Sequence, residues 1–112
     1  EMMIVTKKGQ PAGLLKVRRG EGPGVADLFV YMHDSAAYQL AGVARGLRGL
    51  IKEAAAGQSL RSIVSPVAPW ETGLVTLLGQ CGFAKAGTRR EALYTQSRYH
   101  DVDVYVASVA SL

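Results

Sequence analysis

The sequence predicts one α+β domain, with a mixed, mostly antiparallel sheet of about six strands and two helices in the order βββ-α-β-α-ββ. Three observations predict it: β-type runs separated by turns up to residue 32, a helical period from residue 40, and a hairpin pattern at the end. With 112 residues and 48% hydrophobic content, the chain can bury one cooperative core. We therefore expect a single domain over residues 1–112.

Glycine and proline divide the first third of the chain. Residues 2–6 are a short apolar run that a Lys-Lys-Gly-Gln turn closes, and a second run follows over residues 12–19, just after Pro11, which predicts a hairpin. A Gly-Glu-Gly-Pro-Gly segment then precedes residues 25–32, which are rich in β-branched and aromatic side chains. This third run is predicted to be a central strand.

The period then changes from two residues to 3.6, which predicts an amphipathic helix that Gly57 ends. Its apolar face comprises Leu40, Val43, Ala44, Leu47, Leu50, Ile51 and Ala54. Arg45 and Arg48 lie on the opposite face. Residues 60–67 follow as a buried strand, so strand, helix and strand form a crossover unit with two parallel strands.

The last third predicts a shorter helix and a hairpin. The helix follows residues 69–72 and ends at Gly82, and its apolar face is formed by Leu74, Leu77, Leu78 and Cys81. Residues 91–96 and 101–109 are predicted to pair as strands around a turn at Ser97 and Arg98.

Composition excludes several classes of protein. The single cysteine, Cys81, excludes an internal disulfide and favours a reducing, cytoplasmic setting. No apolar run approaches the roughly 20 residues that span a bilayer, so we expect no membrane association. His33, His100 and Cys81 lack the paired spacing of zinc sites, so no metal is expected. The net charge of +4 favours an anionic ligand, although scattered basic residues argue against a nucleic-acid-binding arm.

One turn carries a resemblance to a known superfamily. The segment that opens the first helix fits the Q/R-x-x-G-x-G/A turn of the GNAT acyl-CoA N-acyltransferases, in residues Gln39, Leu40, Ala41, Gly42, Val43 and Ala44. The strand Val30-Tyr31-Met32, the Gly82-Phe83 pair and the segment at residues 98–102 also resemble that superfamily, in the right order. The last of these is similar to the hairpin of its phosphinothricin-acetyltransferase-like branch.

The resemblance implies acetyl-CoA as co-substrate and a primary amine as acceptor. Backbone groups of Val30, Tyr31 and Met32 would bind the pantetheine arm like an added strand. The Gly42 turn would bind the pyrophosphate, because a helix N-terminus presents free N–H groups and the positive end of a dipole. Arg45 could meet cofactor phosphates and Glu71 could accept a hydrogen bond from the cofactor, although Arg45 fits a solvated helix face equally well.

The sequence also departs from the superfamily's pattern. The chain begins at what resembles the second strand, so the acceptor pocket is open, or completed by a partner chain such as a second copy, or the sequence is incomplete. The turn from His33 to Tyr38 is longer than usual. Leu78 stands where many members carry a tyrosine or histidine that protonates the leaving thiolate, a task leucine cannot perform.

Asp27 is the remaining candidate for a general base, against the reading that it is an ordinary strand aspartate facing solvent. Tyr31, Tyr38 and His33 are candidates for the missing acid, against packing roles for each. The leading hypothesis is an N-acetyltransferase acting on a small primary amine or a protein N-terminus. The alternatives are a non-catalytic acyl-CoA-binding or regulatory module and, third, a nucleic-acid-binding α+β domain.

Overall fold

The computed structural model describes residues 2–7, 9–20, 22–32, 38–39, 42–56 and 59–111, with the backbone alone described at 2–7 and 111. Six strands and two helices follow the predicted order. The elements are β1 (Met2–Lys7), β2 (Gln10–Arg19), β3 (Val25–Met32), α1 (Val43–Ala56), β4 (Ser62–Val67), α2 (Thr72–Gln80), β5 (Ala84–Thr95) and β6 (Arg98–Ser108). His33, Leu40, Ala41 and Gly57 lie outside the described residues.

The strands form one sheet in the spatial order β1-β2-β3-β4-β6-β5. The β3–β4 pair is parallel, because α1 carries the chain back between them, and the other pairs are antiparallel. The predicted mixed, mostly antiparallel sheet with a βαβ crossover is confirmed.

One face of the sheet forms the hydrophobic core with both helices. Alternate side chains of the central strands are buried there, including Leu15, Val17, Leu28, Val30 and Ile63. The predicted apolar face of α1 is buried at Val43, Leu47, Leu50, Ile51 and Ala54, and that of α2 at Leu74, Leu77 and Leu78. Gly82 ends the second helix with a φ of +86°, a conformation that favours glycine.

The opposite face, here called the open face, carries the side chains that alternate with the core residues. Phe29, Val64 and Pro66 are half-buried there, and Tyr31 is 56% exposed. These apolar side chains are therefore accessible to a ligand.

The last hairpin differs most from the prediction. β5 begins at Ala84, not at residue 91, and most of its residues are exposed because it is an edge strand. An edge strand exposed on both faces shows no alternation, which removes the pattern that predicts a strand. The turn lies at Gln96 and Ser97, one residue earlier than expected, and both have positive φ, at 54° and 64°.

Candidate functional site

A cleft opens where β3 and β4 separate. The two strands pair only through Val25–Ser62, Ala26–Ile63 and Asp27–Val64, although β3 continues to Met32 and β4 to Val67. From Leu28 onward, the edge of β3 that faces β4 therefore has no strand partner in the described sheet. Such an edge can bind an extended ligand through backbone hydrogen bonds.

Four adjoining cavities extend along this cleft from α1 to the open face. The glycine pocket, about 550 Å³, is lined by Tyr38, Gln39, Gly42, Ala44, Arg45, Arg48 and Gln80. The strand-end pocket, about 320 Å³, is lined by Val30, Tyr31, Met32, Tyr38, Trp70, Glu71 and Gly73. The central pocket, about 330 Å³, includes Leu28, Phe29, Pro66, Glu71 and Arg89 in its lining. The open-face pocket, about 520 Å³, includes Arg18, Asp27, Phe29, Pro66 and Arg89.

Shared residues show that the four cavities form one path. Tyr38 lines both the glycine pocket and the strand-end pocket. Glu71 lines the strand-end and central pockets. Phe29 and Arg89 line the central and open-face pockets. A long ligand entering at α1 could therefore reach the surface where Asp27 lies.

The glycine pocket lies at the N-terminus of α1. Gly42 has a φ of +85°, and its carbonyl accepts the first helical hydrogen bond, from the Gly46 N–H at 2.8 Å. The first-turn N–H groups of a helix have no intrahelical acceptor, and the first turn of α1 carries no acidic residue. Arg45 adds a positive side chain, whereas Arg48 donates to the Gln80 carbonyl at the end of α2. This arrangement suits an anionic group such as a phosphate.

Tyr38 and Glu71 form a hydrogen-bonded pair between the glycine pocket and the central pocket. The Tyr38 hydroxyl donates to Glu71 Oε2 at 3.4 Å, and the Ala68 N–H donates to Glu71 Oε1 at 2.9 Å. Burial, together with the negative charge of Glu71, raises the pKa of Tyr38 to about 12. Tyr38 is therefore a neutral phenol at physiological pH. Glu71 uses both oxygens within the protein, whereas the sequence predicts it as a cofactor ligand.

Asp27 lies on the open face, at the last position where β3 pairs with β4. It stands opposite Arg18 in the β2–β3 register and lines the open-face pocket. The described residues offer its carboxylate no hydrogen bond or ion pair. The central pocket does not include Asp27 in its lining, so the aspartate lies one cavity beyond the point where the strands part.

The other predicted cofactor residues lie along the same path. Val30, Tyr31 and Met32 all line the strand-end pocket, and the Tyr31 ring stacks on Phe29 with a centroid distance of 6.5 Å. Val43 is an exception, because its side chain is buried in the core and it lines none of the four cavities. Ala44 is half-buried, and its carbonyl accepts from the Cys81 thiol at 3.5 Å. Gln39 is exposed and lines the glycine pocket.

Sequence reasoning missed Arg18, Phe29 and Arg89, which all line the open-face pocket, and of which Phe29 and Arg89 also line the central pocket. Arg18 and Phe29 lie on neighbouring strands, and Arg89 comes from the far edge of the sheet. Only the strand register brings them together, and that register depends on irregular β5–β6 pairing that no local pattern reveals.

Two further features of the described residues bear on the site. Among them, no group of three or more histidine, cysteine, aspartate or glutamate side chains could hold a metal ion. No helix in the same part of the chain is long and apolar enough to cross a membrane.

Solved structures share this overall architecture. A variant of the Vibrio cholerae spermidine N-acetyltransferase SpeG superposes with a TM-score of 0.78 at 17% identity over 98% of this chain. An acetyltransferase of the GNAT family from Streptococcus pneumoniae gives 0.75 at 20% identity over 96%. The chain has the GNAT fold.

A third structure extends the comparison to another branch. A protein assigned as a phosphinothricin N-acetyltransferase superposes with a TM-score of 0.72 at 15% identity over 96% of this chain. This chain spans 66%, 65% and 70% of the lengths of these three proteins, about two thirds in each case. No family model and no curated protein sequence matches the chain.

Proposed function

We propose that residues 1–112 are a single acyltransferase domain that transfers an acetyl group from acetyl-CoA to a primary amine of a small molecule or a protein N-terminus. The observation that carries the proposal is the unpaired edge of β3 from Leu28 to Met32, next to the N-terminus of α1. The GNAT fold, shared with acetyltransferases of known structure, supports it.

The cavities fit the parts of acetyl-CoA in order. The pyrophosphate suits the glycine pocket, where Gly42, Ala44 and Arg45 combine helix N–H groups with positive charge. The pantetheine arm suits the strand-end pocket, where the free edge of β3 supplies backbone donors and acceptors. The thioester then reaches the central pocket, and the amine approaches from the open face.

The chemistry proposed is direct attack of the amine on the thioester carbonyl. The carbon–nitrogen bond forms and the carbon–sulfur bond breaks. The ammonium group loses two protons in becoming an amide: one passes to the general base before attack, and the other is balanced by the proton that the departing CoA thiolate takes up. In this mechanism Asp27 accepts the ammonium proton, and Tyr38, a neutral phenol in the lining of the strand-end pocket, is the candidate proton donor on the cofactor side. No covalent enzyme intermediate is needed, so positioning supplies much of the rate.

An acetyl-transfer assay tests the proposal. The purified chain is mixed with acetyl-CoA and a panel of primary amines that includes spermidine, amino acids and peptide N-termini, and the released CoA thiol is measured. Asp27→Asn should lower kcat by roughly 10²- to 10⁴-fold while acetyl-CoA binding is retained. Glu53→Gln is the matched control, because it also replaces a carboxylate by an amide, at an exposed position on α1, and it should keep full activity. A fully active Asp27→Asn variant would remove Asp27 from the mechanism.

One observation favours the non-catalytic alternative. Leu78, at the position where the resemblance places an acid in relatives, is fully buried in the core, so the cleft receives no proton donor from it. An acyl-CoA-binding or regulatory module would bind acetyl-CoA along the same path without catalysis. Tight binding of acetyl-CoA together with no transfer to any amine of the panel would favour this alternative.

A further inference from the structure

We propose that the acceptor is a primary amine that also carries a carboxylate on a small apolar body, such as a free amino acid with an apolar side chain. This inference rests on the proposed function and concerns the acceptor side of the same cleft. Its basis is the lining of the open-face pocket, which places Arg18, Arg89 and Asp27 around one apolar surface.

Among the described residues that line this pocket, the arginines outnumber the carboxylate. Arg18 and Arg89 contribute two positive charges, and Asp27 contributes one negative charge. Neither arginine forms an ion pair with any described residue, whereas the nearby Lys85 is paired with Asp103 at 3.4 Å. Two guanidinium groups that line one cavity, and that no described carboxylate pairs with, are suited to bind a carboxylate, with which arginine forms bidentate hydrogen bonds.

Arg18 packs against an aromatic ring that lines the same pocket. Its guanidinium carbon lies 4.9 Å from the centroid of the Phe29 ring, which is within cation–π distance. Phe29 belongs to both the central and the open-face pockets, so this contact places the Arg18 guanidinium on the open-face side, next to the boundary between them. Asp27 is its direct neighbour across the β2–β3 pair. A positive group and a negative group thus lie side by side at the entry to the central pocket.

Arg89 approaches from the other side. It lies on β5 next to a register shift and lines the central pocket as well as the open-face pocket. A ligand whose ammonium lies against Asp27 would present its carboxylate to the two arginines. Its apolar part would then cover Phe29, Val64 and Pro66, which are half-buried in the absence of a ligand.

The same charges disfavour polycations. A polyamine such as spermidine would bring several ammonium groups to a pocket with one carboxylate and two guanidinium groups, and like charges repel most strongly where water is partly excluded. The acceptor named for the SpeG structures is therefore not the one that this pocket fits, although the fold is shared.

Kinetics with matched acceptors test the proposal. Leucine and leucinamide share an amine and an apolar body but differ in the carboxylate, so kcat/KM for leucine should exceed that for leucinamide by about tenfold or more. Arg89→Gln and Arg18→Gln should remove this preference by raising the KM for leucine, with the KM for acetyl-CoA unchanged. Arg90→Gln, an exposed change on the same strand outside the pocket lining, is the control and should keep the preference.

Product binding supplies a readout that does not need catalysis. By calorimetry, N-acetylleucine should bind more tightly than N-acetylleucinamide, and Arg89→Gln should abolish the difference. Transfer to leucinamide or spermidine as efficient as transfer to leucine would overturn this inference and leave the proposed function intact. Selective N-acetylleucine binding without transfer to any amine would support the carboxylate site and contradict the proposed catalysis. Equal binding of both products would overturn the inference whether or not transfer occurs.

Discussion

The two ends of the cleft are built from different parts of the polypeptide. At the α1 end, the groups available to a ligand are mainly backbone N–H and C=O groups, presented by the Gly42 turn and the unpaired edge of β3. At the open-face end, they are the side chains of Arg18, Asp27, Phe29 and Arg89. The first end depends on where the backbone runs, and the second depends on which residues the strand register brings together.

The fold therefore provides the backbone groups of the α1 end, whereas the identity of individual residues decides the chemistry of the open-face end. A site built from backbone groups tolerates many substitutions, because it needs only that the fold be kept, and this fold is shared by structures 15% to 20% identical to this chain. A side-chain site changes with each substitution, so the acceptor does not follow from the fold. We therefore expect substitutions at the α1 end to weaken the binding of acetyl-CoA and substitutions at the open-face end to weaken the binding of the acceptor.

The largest expected effect is at Leu28, which lies between the two ends with its side chain fully buried in the core. Leu28→Ala should lower the free energy of unfolding by about 2–5 kcal/mol because it leaves a cavity, and both ends should lose function together. Phe29→Ala is the matched change on the next residue, where the side chain is half-buried, and should cost only about 1 kcal/mol.

Urea unfolding and steady-state kinetics measure both variants. Phe29→Ala should raise the KM for the acceptor and leave the KM for acetyl-CoA unchanged, because the ring supports Arg18 at the open face. Equal losses of stability in the two variants would contradict the distinction between the two faces of the sheet.

An intermediate effect is expected at Gly42. Gly42→Ala places a side chain at a φ of +85° and should cost about 1–2 kcal/mol, with weaker acetyl-CoA binding and an unchanged KM for the acceptor. Gly49→Ala is the control within the same helix, since a Cβ there meets nothing within 4 Å and φ is not positive. It should stabilise the protein by about 0.5–1 kcal/mol. A change of the same sign in the free energy of unfolding of both variants would show that residue 42 does not need the positive φ that favours glycine.

The smallest expected effect is a pH dependence at Tyr38, which joins the glycine pocket to the strand-end pocket. Its pKa is about 12 in the folded protein and 10 when unperturbed, so the unfolded chain loses this proton first. Stability should therefore fall as the pH rises from about 10 towards 12, and Tyr38→Phe should remove that part of the loss. Tyr99→Phe, at a side chain 63% exposed, should not. An unchanged alkaline profile in Tyr38→Phe would contradict the burial of the Tyr38 hydroxyl beside Glu71.

The sequence predicts the backbone end of the cleft better than the side-chain end. The helical period from Val43 to Ala54 and the strand ending at Met32 are confirmed, because each has a buried face that leaves a periodic pattern. The roles of the cofactor residues and of Asp27 stay predictions. The positions of Arg18 and Arg89 beside Asp27 could not be predicted, because they depend on cross-strand register and on the irregular edge strand β5. Edge strands exposed on both faces carry no hydrophobic alternation from which to predict register.

The central claim is that the unpaired edge of β3 receives the pantetheine arm of acetyl-CoA. Amide chemical shifts of the isotope-labelled chain test it most directly, with acetyl-CoA compared against adenosine 3′,5′-bisphosphate, which lacks that arm. Acetyl-CoA should shift the amides of Leu28, Val30 and Met32 as well as that of Gly42, and the bisphosphate should leave those of β3 unchanged. Unshifted β3 amides at saturating acetyl-CoA would contradict the account, because the cofactor would then bind elsewhere or not at all.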